Sequence, residues 1–140
     1  MKKVFLLGTM VCTILYTTSC SKNNEDLIIG EWQRQSPTEN ELSTMTDDDD
    51  YPYGSVVFGD LKFNKNNSAT MTFATTVTIP FNYHNVSCNW SLNDSQSELK
   101  MSGSEIGTMN FVVKELTEDK LAIIYSGDHN QNKYTYKKSE

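Results

Sequence analysis

Cys20 is the residue of this chain whose type and position most directly suggest chemistry. Lys2 and Lys3 precede an uncharged, mostly apolar segment from Val4 to Tyr16, and Thr17 to Ser19 lead into the cysteine. This order is typical of a secretory signal peptide, and a segment of about 13 residues is too short to span a hydrocarbon core of roughly 30 Å. Cleavage alone gives no reason for a cysteine to follow these small residues, which makes Cys20 the candidate lipidation site, with ordinary cleavage and free secretion as the alternative.

These features divide the chain into three parts. Residues 1–19 are predicted to be the signal peptide, and residues 20–26 a lipidated cysteine with a polar tether. Residues 27–140 are long enough for one domain with a single core. We expect an exported protein held in the bacterial cell envelope by its lipid, on the periplasmic or surface face of the outer membrane.

The other cysteines bear on the same question. Cys12 leaves with the signal peptide, which leaves Cys88 without an intramolecular partner if Cys20 is acylated. We then expect a buried, reduced thiol at Cys88, on the face that carries Trp90. A disulfide between Cys20 and Cys88 is the competing interpretation, and it requires that Cys20 carries no lipid.

The long acidic segment from Ser36 to Pro52 is the second candidate for chemistry. It is too long and too acidic for a tight turn, which predicts a loop at one end of the fold. A solvated charge run is favoured over Ca²⁺ binding, since the EF-hand spacing is absent. Tyrosines beside the acids can recognise a protein or a glycan, or can pack within the loop. The candidate interaction residues are Asp47, Asp48, Asp49, Asp50, Tyr51 and Tyr53.

Signatures of catalysis and of cofactor binding are not found. His84 and His129 lack partners at metal-site spacing, and neither a Gly-x-Ser-x-Gly motif nor a glycine-rich phosphate loop is present. A formal net charge of −6 without a basic stripe argues against nucleic acid as a partner. We expect a protein that is not an enzyme and that binds no metal or cofactor. A hydrolase that uses carboxylates at the rim is a weaker alternative.

Alternation of apolar and polar residues predicts the elements of the domain. The clearest stretch runs from Ala69 to Ile79, with threonines on its other face, and Val86 to Leu92 repeats the pattern. Val57, Leu61 and Phe63 are predicted to share a face, with a possible bulge at Gly59. About eight strands joined mostly by short turns predict an all-β fold, an antiparallel up-and-down barrel closed on itself.

The large side chains on the inward faces are the candidates for lining a cavity. Trp32 is expected to plug one end of the barrel, with Lys137 or Lys138 over its ring. A barrel of eight strands either holds one small ligand or is filled by its own side chains, and both remain open. The cavity candidates are Met71, Phe73, Trp90, Met101, Phe111, Tyr125, Tyr134 and Tyr136.

Several short motifs resemble those of lipocalin-like domains in small bacterial lipoproteins. Gly30-Glu31-Trp32 resembles the Gly-x-Trp of a first lipocalin strand, and Leu61 to Asn64 resembles a Leu-x-Phe-Asn strand end. Cys88 to Leu92, Val113 to Leu121 and Tyr134 to Lys138 follow in the family's order. The small residues before the cysteine also resemble a lipobox, with Thr in place of the usual Leu. The resemblance implies an up-and-down barrel that holds a small apolar ligand and is anchored to a membrane.

Overall fold

One short helix and eight strands make up the fold. The computed structural model describes residues 24–38, 41, 56–74, 81–128 and 131–140. The helix α1 spans Asn24–Ile28. The strands are β1 (Gly30–Ser36), β2 (Val57–Phe63), β3 (Ser68–Ala74), β4 (His84–Leu92), β5 (Glu98–Gly103), β6 (Gly107–Leu116), β7 (Lys120–Tyr125) and β8 (Lys133–Lys138).

The strands form a closed antiparallel barrel in which each pairs with its neighbours in the sequence. β1 also pairs with β8, with Trp32 opposite Lys138 and Arg34 opposite Tyr136. Closure removes the unpaired edges that an open sheet would expose. The predicted up-and-down barrel of eight strands is thereby confirmed, and it is the topology that lipocalins share. No helix in the described part of the chain is long and apolar enough to cross a membrane.

A bulge in β2 corrects one prediction about the inner face. Phe58 lies opposite Phe73, but the next inward pair is Leu61 with Met71, so two positions of β2 oppose one of β3. This bulge at Gly59 and Asp60 shifts the alternation by one residue. Phe58 therefore shares the inner face with Leu61 and Phe63, and the prediction that Val57 does so was wrong.

One end of the barrel, the closed end, is sealed by α1 together with Trp32 and Lys138. The Trp32 indole is fully buried, and its Nε1 donates to the carbonyl of Ile28 at 2.7 Å. The Lys138 Nζ lies 5.0 Å from the Trp32 ring centroid and donates to the carbonyl of Leu27 at 2.7 Å. The predicted plug and the predicted lysine over its ring are both confirmed, with Lys138 rather than Lys137 in that position.

The helix also shortens the predicted tether, because α1 begins at Asn24 rather than after Asp26. Ile28 is fully buried beneath the barrel end, and Glu25 and Asp26 lie in the first turn, where carboxylates interact favourably with the helix dipole. Packing of Ile28 supplies the stabilisation that the polar sequence alone lacks.

Candidate ligand-binding site

The eight cavity candidates lie together on the inner face of the barrel. Seven of them are buried, and Tyr125 is partly exposed. They come from six consecutive strands, β3 to β8, because alternation turns every second side chain inward. Their inward orientation is as expected, whereas their role in ligand binding stays a prediction.

Phe58 is a central residue of this interior that the sequence analysis missed. Its ring makes edge-to-face contacts with Phe111, Tyr125 and Tyr134, at centroid distances of 5.2, 5.5 and 5.2 Å. Phe111 belongs to β6, on the opposite side of the barrel from β2. Aromatic rings therefore fill the interior at this level, and the interrupted alternation at Gly59 was the signal for an inward Phe58.

Trp90, in contrast, is held toward the closed end. Its Nε1 donates to the carbonyl of Asn64 at 3.0 Å, and its ring packs edge-to-face on Phe63 at 5.6 Å. Asn64 follows β2 at the end where β1 begins. Trp90 faces the interior as predicted, in a place where the turn and Phe63 fix its indole.

Cys88 is a free, buried thiol, as predicted. Its Sγ lies 3.7 Å from the carbonyl of Ala69, and burial raises the pKa of the thiol. The thiolate is the reactive form, so Cys88 is suited to packing rather than to nucleophilic chemistry.

The opposite end of the barrel, the rim end, lies where β1 ends, β2 begins and β4 begins. There Arg34 continues the inner face of Trp32, and its Nη1 donates to the carbonyl of Phe58 at 2.6 Å. The same nitrogen donates to the Tyr83 hydroxyl at 2.9 Å. The sequence analysis missed both residues, although the two-residue spacing from Trp32 placed Arg34 inward.

Tyr136 carries a buried polar atom in this apolar interior. The residue is 2% exposed, and its hydroxyl has no hydrogen-bond partner among the described residues. Burial raises its pKa well above the usual value, and Tyr134 adds to the rise whereas the charge of Arg34 opposes it. The phenol is therefore neutral and keeps a donor for which the described residues supply no acceptor.

The other candidate residues fall mostly outside the described residues. This holds for Cys20, for His129 and for the six loop candidates from Asp47 to Tyr53. Only the start of that loop is described, where Thr38 N donates to Glu41 Oε2 at 2.6 Å and Glu41 N to Thr38 Oγ1 at 3.2 Å. This reciprocal pair follows the capping-box pattern of a helix start.

His84 and the clefts on the outer surface were the other places in the described residues to consider for a functional site. The exposed imidazole of His84 packs against Phe73 with 4.4 Å between ring centroids. Within the described ranges, no three His, Cys, Asp or Glu side chains come together in a way that suits a metal ion. Clefts of about 530, 330 and 480 Å³ lie at the closed end, over β1 and β2, and over β7 and β8.

Comparison with known proteins gives distant similarity to solved structures. No protein-family model matches the chain, and no curated protein sequence does so. Bovine odorant binding protein, in complex with a selenium-containing odorant, is 13% identical with a TM-score of 0.42, over 86% of this chain and 75% of that chain. A deswapped triple mutant of bovine odorant binding protein is 12% identical with a TM-score of 0.33, and the match covers 79% of this chain and 66% of that chain.

Proposed function

We propose that this protein is a non-enzymatic, lipid-anchored binding protein of the cell envelope whose barrel receives a small, mostly apolar ligand at its rim end. The observation that carries the proposal is the buried Tyr136 hydroxyl, which has no partner among the described residues and lies in an aromatic interior. Ligand pockets typically combine an apolar lining with a few polar groups that fix orientation.

The chemistry of the interior limits the ligand. Phe58 and the rings around it occupy the middle of the barrel, so the ligand packs against this cluster rather than extending through to the closed end. A neutral phenol buried in apolar surroundings gains most from a hydrogen-bond acceptor. The expected ligand is therefore a small, mostly apolar molecule that carries at least one oxygen acceptor.

Ligand binding is tested with a fluorescent apolar probe, N-phenyl-1-naphthylamine, and its displacement by 1-dodecanol. Tyr136→Phe removes the hydroxyl and keeps the ring, so we expect dodecanol to bind about five- to tenfold more weakly, the effect of one lost hydrogen bond. Tyr125→Phe is the matched control, because it removes the hydroxyl of a partly exposed tyrosine on the neighbouring strand and keeps the ring that packs on Phe58. A wild-type protein that binds neither probe nor dodecanol would contradict the proposal.

The position of α1 supports a definite orientation for the anchored protein. Three residues lie between Cys20 and Asn24, where α1 begins, and the four Cα-to-Cα steps reach about 14 Å at about 3.5 Å each. Acylation of Cys20 would therefore hold the closed end beside the membrane and direct the rim end away from it. We expect Cys20→Ser to release the protein into the soluble fraction and to abolish labelling by a fatty-acid probe, while an unchanged membrane fraction would refute the anchor.

A second candidate function is an interaction module for a protein or a glycan, working through the loop of residues 36–53. It is favoured by the packing of Phe58 across the interior, since a module of this kind needs a filled core and an exposed loop. Replacing Asp47 to Asp50 with asparagine should then abolish partner binding and leave the unfolding transition unchanged. Retained probe binding in the same variant would assign ligand binding to the barrel instead.

A further inference from the structure

Arg34 is an unusual residue for the inner face of a barrel. Its side chain is partly buried, and its Nη1 donates to two neutral oxygens, the Phe58 carbonyl and the Tyr83 hydroxyl. Asp60 is close by, but its Oδ1 accepts the backbone N–H of Arg34, at 2.9 Å. In the ranges that the structure describes, no carboxylate forms an ion pair with the guanidinium, although cations removed from water are normally paired.

Tyr136 lies directly across from Arg34 in the pairing of β1 with β8. Both side chains face inward, so a guanidinium and a phenolic O–H stand on adjacent strands. Arginine offers five N–H donors and no acceptor, and the described residues supply no acceptor for the Tyr136 hydroxyl. The two residues together present donors and one positive charge, which suits a group that has only acceptors and one negative charge.

Tyr83 covers this pair from the rim. It lies in the segment of residues 81–83 that precedes β4, yet its hydroxyl reaches Arg34 on β1, across the width of β2 and β3. Its ring also faces the guanidinium, with 5.5 Å from Arg34 Cζ to the ring centroid. A carboxylate would replace this neutral hydroxyl with an ionised acceptor, which can form two parallel hydrogen bonds with the guanidinium.

We propose that Arg34 and Tyr136 form the head-group site for a small amphipathic carboxylate, and that Tyr83 is displaced from Arg34 when such a ligand binds. The inference rests on the proposed function, because it identifies the polar end of the ligand that the barrel receives. The planar carboxylate matches the fork of the guanidinium, and its second oxygen accepts from the Tyr136 hydroxyl. The apolar tail then packs on the Phe58 cluster.

The test compares three twelve-carbon ligands that differ in the head group. Displacement of N-phenyl-1-naphthylamine by dodecanoate, 1-dodecanol and methyl dodecanoate is measured at pH 7.5. We expect dodecanoate to bind about tenfold or more tightly than the two neutral ligands, since hydrogen bonds to charged groups exceed neutral ones by that order. This comparison uses the wild-type chain and does not depend on the folding of any variant.

Variants then identify the residues that are responsible for the preference for dodecanoate. Arg34→Gln should abolish the preference for dodecanoate over dodecanol, whereas Lys62→Gln, which removes an exposed cation on β2, should retain the preference. Tyr83→Phe should raise dodecanoate affinity a few-fold, because the competing hydrogen bond to Arg34 is lost.

The outcomes separate the two proposals. If none of the three ligands displaces the probe, both the proposed function and the head-group site fail. If all three displace it equally and Arg34→Gln changes nothing, the barrel binds apolar ligands and the carboxylate inference alone is overturned. If the preference survives in Arg34→Gln but is lost in Lys62→Gln, the head group binds on the outer surface and the inference is likewise overturned.

Discussion

The two ends of the barrel treat their buried polar groups in different ways. At the closed end, Trp32 Nε1 donates to the Ile28 carbonyl, Lys138 Nζ to the Leu27 carbonyl and Trp90 Nε1 to the Asn64 carbonyl. Each of these donors uses a backbone oxygen that the chain itself brings to the spot. At the rim end, one guanidinium nitrogen of Arg34 donates to both the Phe58 carbonyl and the Tyr83 hydroxyl, and the Tyr136 hydroxyl has no partner among the described residues.

Because of this difference, we expect the two ends to contribute to different properties, the stability of the fold and the binding of a ligand. A buried donor that is hydrogen-bonded to an acceptor of the same chain stabilises the fold. That donor is then not available to bind a ligand. A buried donor without such a partner costs free energy on folding, which a ligand with an acceptor can recover. The closed end is thus expected to stabilise the barrel, and the rim end is expected to recognise what the barrel binds.

The largest expected effect comes from removing the plug of the closed end. Trp32→Ala deletes a fully buried indole and its hydrogen bond to Ile28, so we expect the free energy of unfolding to fall by about 4–5 kcal/mol. Urea denaturation followed by circular dichroism measures the loss. A cost under about 1 kcal/mol would mean that α1 and Trp32 do not seal this end.

A smaller loss is expected from Phe58→Ala, in the aromatic cluster that borders the rim end. Removal of this ring should lower the free energy of unfolding by about 3 kcal/mol, the lower part of the usual range for a buried phenylalanine. The space left among Phe111, Tyr125 and Tyr134 is apolar, so binding of N-phenyl-1-naphthylamine should increase. Unchanged probe binding, with a loss as large as that of Trp32→Ala, would remove the contrast between the two ends.

Lys138 and Lys137 offer a matched pair on one strand. Lys138→Met removes the hydrogen bond to Leu27 and the cation over Trp32, so we expect a loss of about 1–2 kcal/mol in the free energy of unfolding. Lys137→Met changes an exposed outer residue, and its effect should stay within about 0.5 kcal/mol. Equal effects would show that the position over Trp32 contributes nothing to the seal.

The smallest effect is expected on the outer wall, at the ion pair between Lys62 and Glu31. Their 2.7 Å contact is solvent-exposed, and the hydrogen bond and charge of Lys62 lower the pKa of Glu31 below its usual 4.5. A lowered carboxyl pKa stabilises the fold above the unfolded value and loses that contribution as the pH falls through the folded value. Glu31→Gln should leave the melting temperature unchanged at pH 7 within error, and should reduce only the steepness of its fall below pH 4.5.

The sequence alone was sufficient to predict which residues of several barrel strands face inward. Alternation is a local property with a period of two, so the inward faces of β3, β4 and β5 could be assigned from spacing without knowledge of the neighbouring strands. Cys88 on the inner face of β4 follows from the same rule. The turns rich in Asn, Asp and Ser marked where most strands end.

The prediction of inward-facing residues failed in β2, where pairing with β3 changes the phase of the alternation. The inward Phe58 depends on a bulge that forms against β3, and the spacing of β2 alone favoured Val57. The contact between Arg34 and Tyr83 joins positions 49 residues apart in the chain. Such a contact depends on where side chains from distant segments meet across the barrel, which the local spacing of residues does not report.

By itself, then, the sequence determined the number and order of the strands and most of the residues that face inward, because these follow from local periodicity and turn chemistry. The tertiary structure decided which of the two lysines lies over Trp32 and which buried polar groups are left without a partner from the described residues. Closure of β8 on β1 brings Lys138 over Trp32 and sets Tyr136 opposite Arg34. Hydrogen-bond satisfaction depends on atoms from distant segments meeting within about 3 Å, a condition that appears only when the barrel closes.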